Sequence, residues 1–140
     1  MRVAVVRFPV RTDGVLERIA EALAGALEAR GHAVARIDGR RDANVKLPHY
    51  EYVLVGAEAS GLRGALPPAV ATFLAEAGPA AGLRACAFAR DRGFGAAKGL
   101  AALMKAMEAE GMRVNAAELL ADAAAARARG ASLPVERPAG

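Results

Sequence analysis

Two hydrophobic patterns take turns along this chain. Short continuous apolar runs, "VAVV" near the start and "YVLVGA" near the middle, read as strands buried on both faces. Between the runs, apolar residues recur three and four positions apart, the spacing of one helix face. Residues 2–8 predict a first strand, bounded by Pro9. From Asp13 to about Arg30, the residues Leu16, Ile19, Ala20, Leu23 and Leu27 mark an inward helix face, and Gly31 is a natural stop. "HAVARID" alternates, as an edge strand does, and "GRRDANVKLPHYE" is a polar connection with room for one helical turn.

"YVLVGA" predicts a third, central strand, and "GLRGAL" a loop. Pro67 and Pro68 then open a helix carrying Val70, Phe73 and Leu74, because first-turn amides lack an intrahelical partner in any case. Gly78-Pro79 ends it. "LRACAFA" is a fourth strand, "RDRGFG" a loop, and Ala96 to Glu110 a helix with Leu100, Leu103, Met104 and Met107 inward. Beyond Gly111, "MRVNA" predicts a short fifth strand and "ELLADAAAARARG" a last helix. High helix propensity leaves their junction open between Asn115 and Asp122. The expected division is a domain over 1–130 and a flexible tail over 131–140.

Strands alternating with helices imply right-handed crossovers and a parallel sheet covered on both faces. The expectation is a three-layer, doubly wound α/β fold with five parallel strands in the order 2-1-3-4-5. Such a sheet binds ligands outside the carboxyl ends of its strands, beside strands 1 and 3. Residues 7–14, 57–66 and 89–95 are therefore the loops that matter.

Composition narrows the function. The 140 residues are 54% hydrophobic but only 4% aromatic, with no Trp, so Ala, Val and Leu must pack the core. No stretch has the build of a signal peptide or of a membrane span of roughly 20 residues, so a cytoplasmic protein without a membrane partner is expected. The net charge of +4 comes from arginines interspersed with acids, and no basic stripe interleaves with aromatics, which argues against nucleic acid. Cys86, the one cysteine, sits in the apolar "ACAFA" and reads as a core thiol; an intrachain disulfide and a multi-thiolate zinc site are excluded. His32 and His49 read as turn or surface residues at the edge opposite the loops. No Ser–His–acid set can form there, so any chemistry would come from a cofactor. The Ala-rich last helix offers a surface for a homodimer.

The first loop opens a helix, whose amides and positive end suit a phosphate, with Gly14 for close approach and Arg11 for charge. Asp13 works against this, because as an N-cap it would occupy those amides and repel an anion. Arg11, Arg63, Arg90 and Arg92 come from the same edge, with Arg7 nearby. They either gather an anionic ligand or are solvated loop residues. "GFGAAKG" is a weak dinucleotide motif, since it follows a late strand and lacks the partner acid.

Strand 1 with "ERIAEAL", then "VLVGAEASGLRGALPPAVATFL", then "AFARDRGFGAAKGLAALMKAMEAEGMRV" together resemble the flavodoxin family over roughly residues 1–120. That resemblance implies noncovalent FMN, held at the phosphate by a loop of pattern T/S-x-T-G-x-T. Aligned on "ERIA", only Gly14 matches this pattern. Arg11, Asp13 and Leu16 replace its hydroxyl residues, and Thr12 falls one position out of phase. The implied cofactor site is Arg11, Thr12, Asp13, Gly14 and Val15 at the phosphate. Glu58, Ala59, Ser60 and Gly61, with Arg90, Asp91, Arg92, Gly93 and Phe94, would flank the ring. The second loop lacks the stacking aromatic common in the family, and Phe94 is the one aromatic in reach unless it covers the helix start. The resemblance implies electron transfer, or reduction of a small acceptor, with a redox partner protein. Two alternatives stay open: a cofactor-free interaction module, and a crevice for another small anionic ligand.

Overall fold

The computed structural model describes residues 1–136. Its strands are β1 (Arg2–Phe8), β2 (Ala33–Asp38), β3 (Tyr52–Ala57), β4 (Arg84–Arg90) and β5 (Arg113–Leu120). Its helices are α1 (Val15–Ala29), α2 (Pro68–Glu76), α3 (Ala96–Ala109) and α4 (Ala123–Gly130). All neighbouring strands pair in parallel, in the order β2-β1-β3-β4-β5, as the alternation of patterns predicts. One 3-10 turn, Leu47–His49, lies in the polar connection before β3.

Two apolar layers cover the sheet. On one face Ala4, Val6, Phe8, Val53 and Val55 pack against Val70, Phe73, Leu103 and Met107 of α2 and α3. On the other face Val3, Val5, Leu54, Cys86 and Phe88 pack against Leu16, Ile19, Leu23 and Leu27 of α1 and Ala126 of α4. Every residue of β3 is buried, because it lies at the centre of the sheet with helices on both sides. Cys86 is inert core, its thiol pushed up to about 12 by burial.

The structure places the junction left open between Asn115 and Asp122, and two expectations need correction. The fifth strand is not "MRVNA" alone: it runs eight residues, Arg113–Leu120, and takes Glu118, Leu119 and Leu120 from the expected helix. Pairing with β4 through Arg90↔Leu120 outweighs helix propensity there, and Asp122 starts α4 by accepting the Ala125 N–H at 2.8 Å. The expected flexible tail is docked over 131–136; the rest of it, 137–140, lies outside the described residues. Leu133 and Val135 are fully buried, Arg84 donates to the Val135 carbonyl at 2.7 Å and Asn115 to the Pro134 carbonyl at 3.0 Å. His32 is no surface residue. It is buried, with Nε2 2.8 Å from the Glu136 carboxylate and Nδ1 3.3 Å from the N-terminal amine. In the last helix Ala126 and Gly130 are buried, Gly130 close against Ala26 of α1, while Ala124, Ala125 and Ala128 are exposed.

Candidate functional site

The strand registers Phe8↔Ala57 and Ala57↔Ala89 bring three carboxyl ends into one row. The connections that follow, residues 9–14, 58–67 and 91–95, therefore leave from one edge of the sheet, as the topology requires.

Glu58 organises this edge. It follows directly on the buried β3 and is itself 1% exposed. Its Oε1 accepts the backbone N–H of Val10 at 3.0 Å and of Arg11 at 3.1 Å. A buried carboxylate needs a counter-charge as well as donors. Arg90, the last residue of β4, supplies one, its Nη1 lying 3.3 Å from Glu58 Oε2 and 2.7 Å from Asp13 Oδ2. The Arg90 guanidinium, followed by the Val15 N–H, holds the Asp13 carboxyl below its usual range. In turn, Asp13 first and then Glu58 raise the pKa of Arg90 further.

Asp13 is not the N-cap that its place in the sequence suggests. Gly14 takes the cap position with φ 74°, in the left-handed region that favours glycine. Asp13 accepts the Val15 N–H at 3.2 Å from one residue further out, which turns its second oxygen toward Arg90. Arg11 and Thr12 are exposed beside it.

The second and third loops lock onto each other. Ser60 and Ala65 exchange backbone hydrogen bonds at 2.9 and 3.0 Å and close a tight hairpin. A Cβ on Gly95 would stand 2.2 Å from the Gly61 carbonyl oxygen, and one on Gly64 2.5 Å from the Gly99 nitrogen, so only glycines permit this contact. Arg92 donates to the Ala59 carbonyl, fixing the same junction from the side. Asp91 donates its N–H to the Leu120 carbonyl at 2.8 Å, and its carboxylate accepts from the Gly93 N–H at 3.5 Å.

The arginines expected to form one anion-binding set therefore divide. Arg90 and Arg92 are spent on protein acceptors, while Arg11 and Arg63 are exposed and have no side-chain partner among the described residues. Arg7 leaves the set: it lies in the α1-covered layer, 3.9 Å from Asp38, in a cavity of about 390 Å³ with Val5, Glu17 and Arg36. Phe94 covers nothing. It is 83% exposed, and Leu62 and Val10 on the other two loops are 70% and 43% exposed.

Sequence reasoning placed Glu58 at this edge but missed its part. The available signal was an acid at the end of a wholly apolar central strand, where burial forces it to find donors. Among the described residues no cluster of three His, Cys, Asp or Glu side chains could hold a metal, and no helix is long and apolar enough to cross a membrane.

The architecture matches solved flavodoxins. Oxidised flavodoxin 1 from Bacillus cereus aligns with a TM-score of 0.74 at 19% identity, covering 94% of this chain and 95% of that one. A flavodoxin from the domain Archaea gives 0.71 at 19%, covering 94% of each chain. Two-electron reduced Megasphaera elsdenii flavodoxin gives 0.70 at 17%, covering 93% of this chain and 99% of that one. No protein-family model matches the chain. No curated protein matches it. The chain has the flavodoxin-like fold, a five-stranded parallel sheet in the order 2-1-3-4-5.

That fold implies FMN, and the residues at this edge do not fit it. The amides of Val10 and Arg11 already face a carboxylate, and two carboxylates share one guanidinium, the wrong sign for a phosphate. No aromatic stands in the second loop, whose backbone is packed against the third.

Proposed function

We propose that this chain is a flavodoxin-fold binding module that works without FMN. The observation that carries this reading is the pair of carboxylates at the phosphate edge: Asp13 takes the Val15 amide at the helix start, and Glu58 Oε1 takes the Arg11 amide where the loop begins, with that of Val10 just before it. To admit a phosphate at the helix start, the loop would have to free the Val15 amide from Asp13 and place another anion beside Glu58, a buried carboxylate that shares its one cation, Arg90, with Asp13. Drawing Arg90 away to a phosphate would leave Glu58 a buried charge without its cation, and such a charge keeps its full desolvation penalty. No catalytic residue is assigned.

The visible spectrum of the purified protein and an FMN titration followed by flavin fluorescence test this reading. A colourless protein that leaves FMN fluorescence unquenched agrees with it; tight, saturable quenching overturns it. One observation favours the second reading, an FMN electron carrier with a redox partner protein: Phe94 stands free between Gly93 and Gly95, where a flat ring could stack. The same titration decides between the two. Arg90 and Arg92 are engaged with protein groups and are not available to a small anion.

A further inference from the structure

Four large apolar side chains are exposed among the described residues: Val10, Leu62, Phe94 and Leu119. Three of them sit on the three loops of one sheet edge, one on each loop. They are also held in place. Glu58 pins the Val10 amide, and the contact of Gly95 with the Gly61 carbonyl joins the loops just beside Phe94 and Leu62. Exposing apolar side chains on rigid loops works against solubility, and such a cluster marks a surface that is covered in use.

Charge narrows the choice of partner. Arg11 follows Val10 and Arg63 follows Leu62, and Lys98 lies beside Gly64; all three cations are exposed and unpaired among the described residues. Asp13 and Glu58 are neutralised in part by Arg90, which leaves Asp91 as the exposed acid on the third loop. A second copy presenting the same edge would set cation against cation. The partner must be anionic and must accept apolar side chains.

Shape narrows it further. The apolar cluster is made of three side chains projecting from three joined loops and does not line a groove. A protein partner would need a matched pocket for each, whereas a bilayer takes each independently at the headgroup boundary. Arginine beside an inserted apolar residue can keep its stem in that boundary while its guanidinium meets a lipid phosphate. We propose that this edge docks on an anionic membrane surface, inserting Val10, Leu62 and Phe94 and pairing Arg11, Arg63 and Lys98 with lipid phosphates. The expectation of no membrane partner rested on the lack of a spanning segment, which peripheral docking does not need. The proposal rests on the reading of this edge as a binding face instead of a flavin site, which the FMN titration tests separately.

Sedimentation with vesicles of phosphatidylcholine, with and without phosphatidylglycerol, tests it. The full chain should sediment with the anionic vesicles and not with pure phosphatidylcholine, and added salt should release it. Leu62→Asp and Phe94→Asp should each weaken the partition about tenfold or more, and Arg63→Glu should do likewise. These residues are exposed, so folding is checked simply by circular dichroism. Because the chain has no Trp, Phe94→Trp gives a unique reporter whose emission should shift to the blue on anionic vesicles. Failure to sediment, equal binding to neutral vesicles, or binding that ignores Leu62→Asp and Phe94→Asp would each overturn the proposal. Failure to sediment would return the edge to an acidic protein partner.

Discussion

Arg90 and Asp13 lie 77 positions apart in the chain, yet their side chains meet at 2.7 Å. The contact spans the carboxyl end of the sheet, from the last residue of β4 to the turn before α1, and it passes over Glu58 at the end of β3. Three strands and a helix start are thereby tied at the point where the fold would admit a phosphate.

Removing Glu58 should be expensive. Glu58→Ala leaves two loop amides and the Arg90 charge without their buried acceptor, and should cost about 3–5 kcal/mol of stability. Glu58→Gln keeps an acceptor for Val10 and Arg11 and should cost about half as much. Urea denaturation of the three proteins gives the comparison.

The Asp13 contact should show in the acid limb of stability. Arg90 first, then the Val15 N–H, lower the folded pKa of Asp13 below its ordinary 3.8. Between the two values the unfolded chain holds the proton that the folded one lacks, so stability rises with pH. The contribution is fully present above 3.8 and is lost as pH falls through the folded pKa. Asp13→Asn should flatten the fall in melting temperature between neutral and acid pH, relative to the parent. Glu28 and Glu136 are lowered in the same direction, so the parent's curve should not flatten completely in the variant.

How much of this was legible beforehand differs by level. The order of the sheet follows from "VAVV", "YVLVGA" and "LRACAFA", because strands buried on both faces cannot hide their pattern. The fifth strand was harder: "AAELL" is helix-forming in isolation, and only its pairing with β4 decides. The docked segment had no periodicity to reveal it, since Leu133 and Val135 alone carry its burial. At the site, the loops and most of their residues could be placed, as could the loss of the hydroxyl pattern. That Glu58 would turn back onto loop 1 could not be read, because nothing local relates residue 58 to residues 10 and 11.

The docked C-terminal segment should behave as core. Leu133→Ala empties a fully buried position and should destabilise by about 2–4 kcal/mol. An exposed tail would give a change within about 0.5 kcal/mol. Chemical denaturation separates the two.

Gly64→Ala should open the junction of the second and third loops. The position has φ 68°, and the added methyl would meet the Gly99 nitrogen at 2.5 Å. Strain and displacement together should cost about 1–3 kcal/mol. Amide exchange should then rise in residues 59–65 and 91–96 while the β1 and β3 amides stay protected.

The central claim is that the first loop carries its own anion, and amide hydrogen exchange at Val10 and Arg11 tests it most directly. Both amides should be protected in the native protein, far more than that of neighbouring Thr12, and Glu58→Gln should retain part of that protection. Adding FMN or inorganic phosphate should leave their exchange unchanged. Fast exchange of both amides in the free protein, slowed on addition of FMN, would contradict the account and return the loop to a phosphate site.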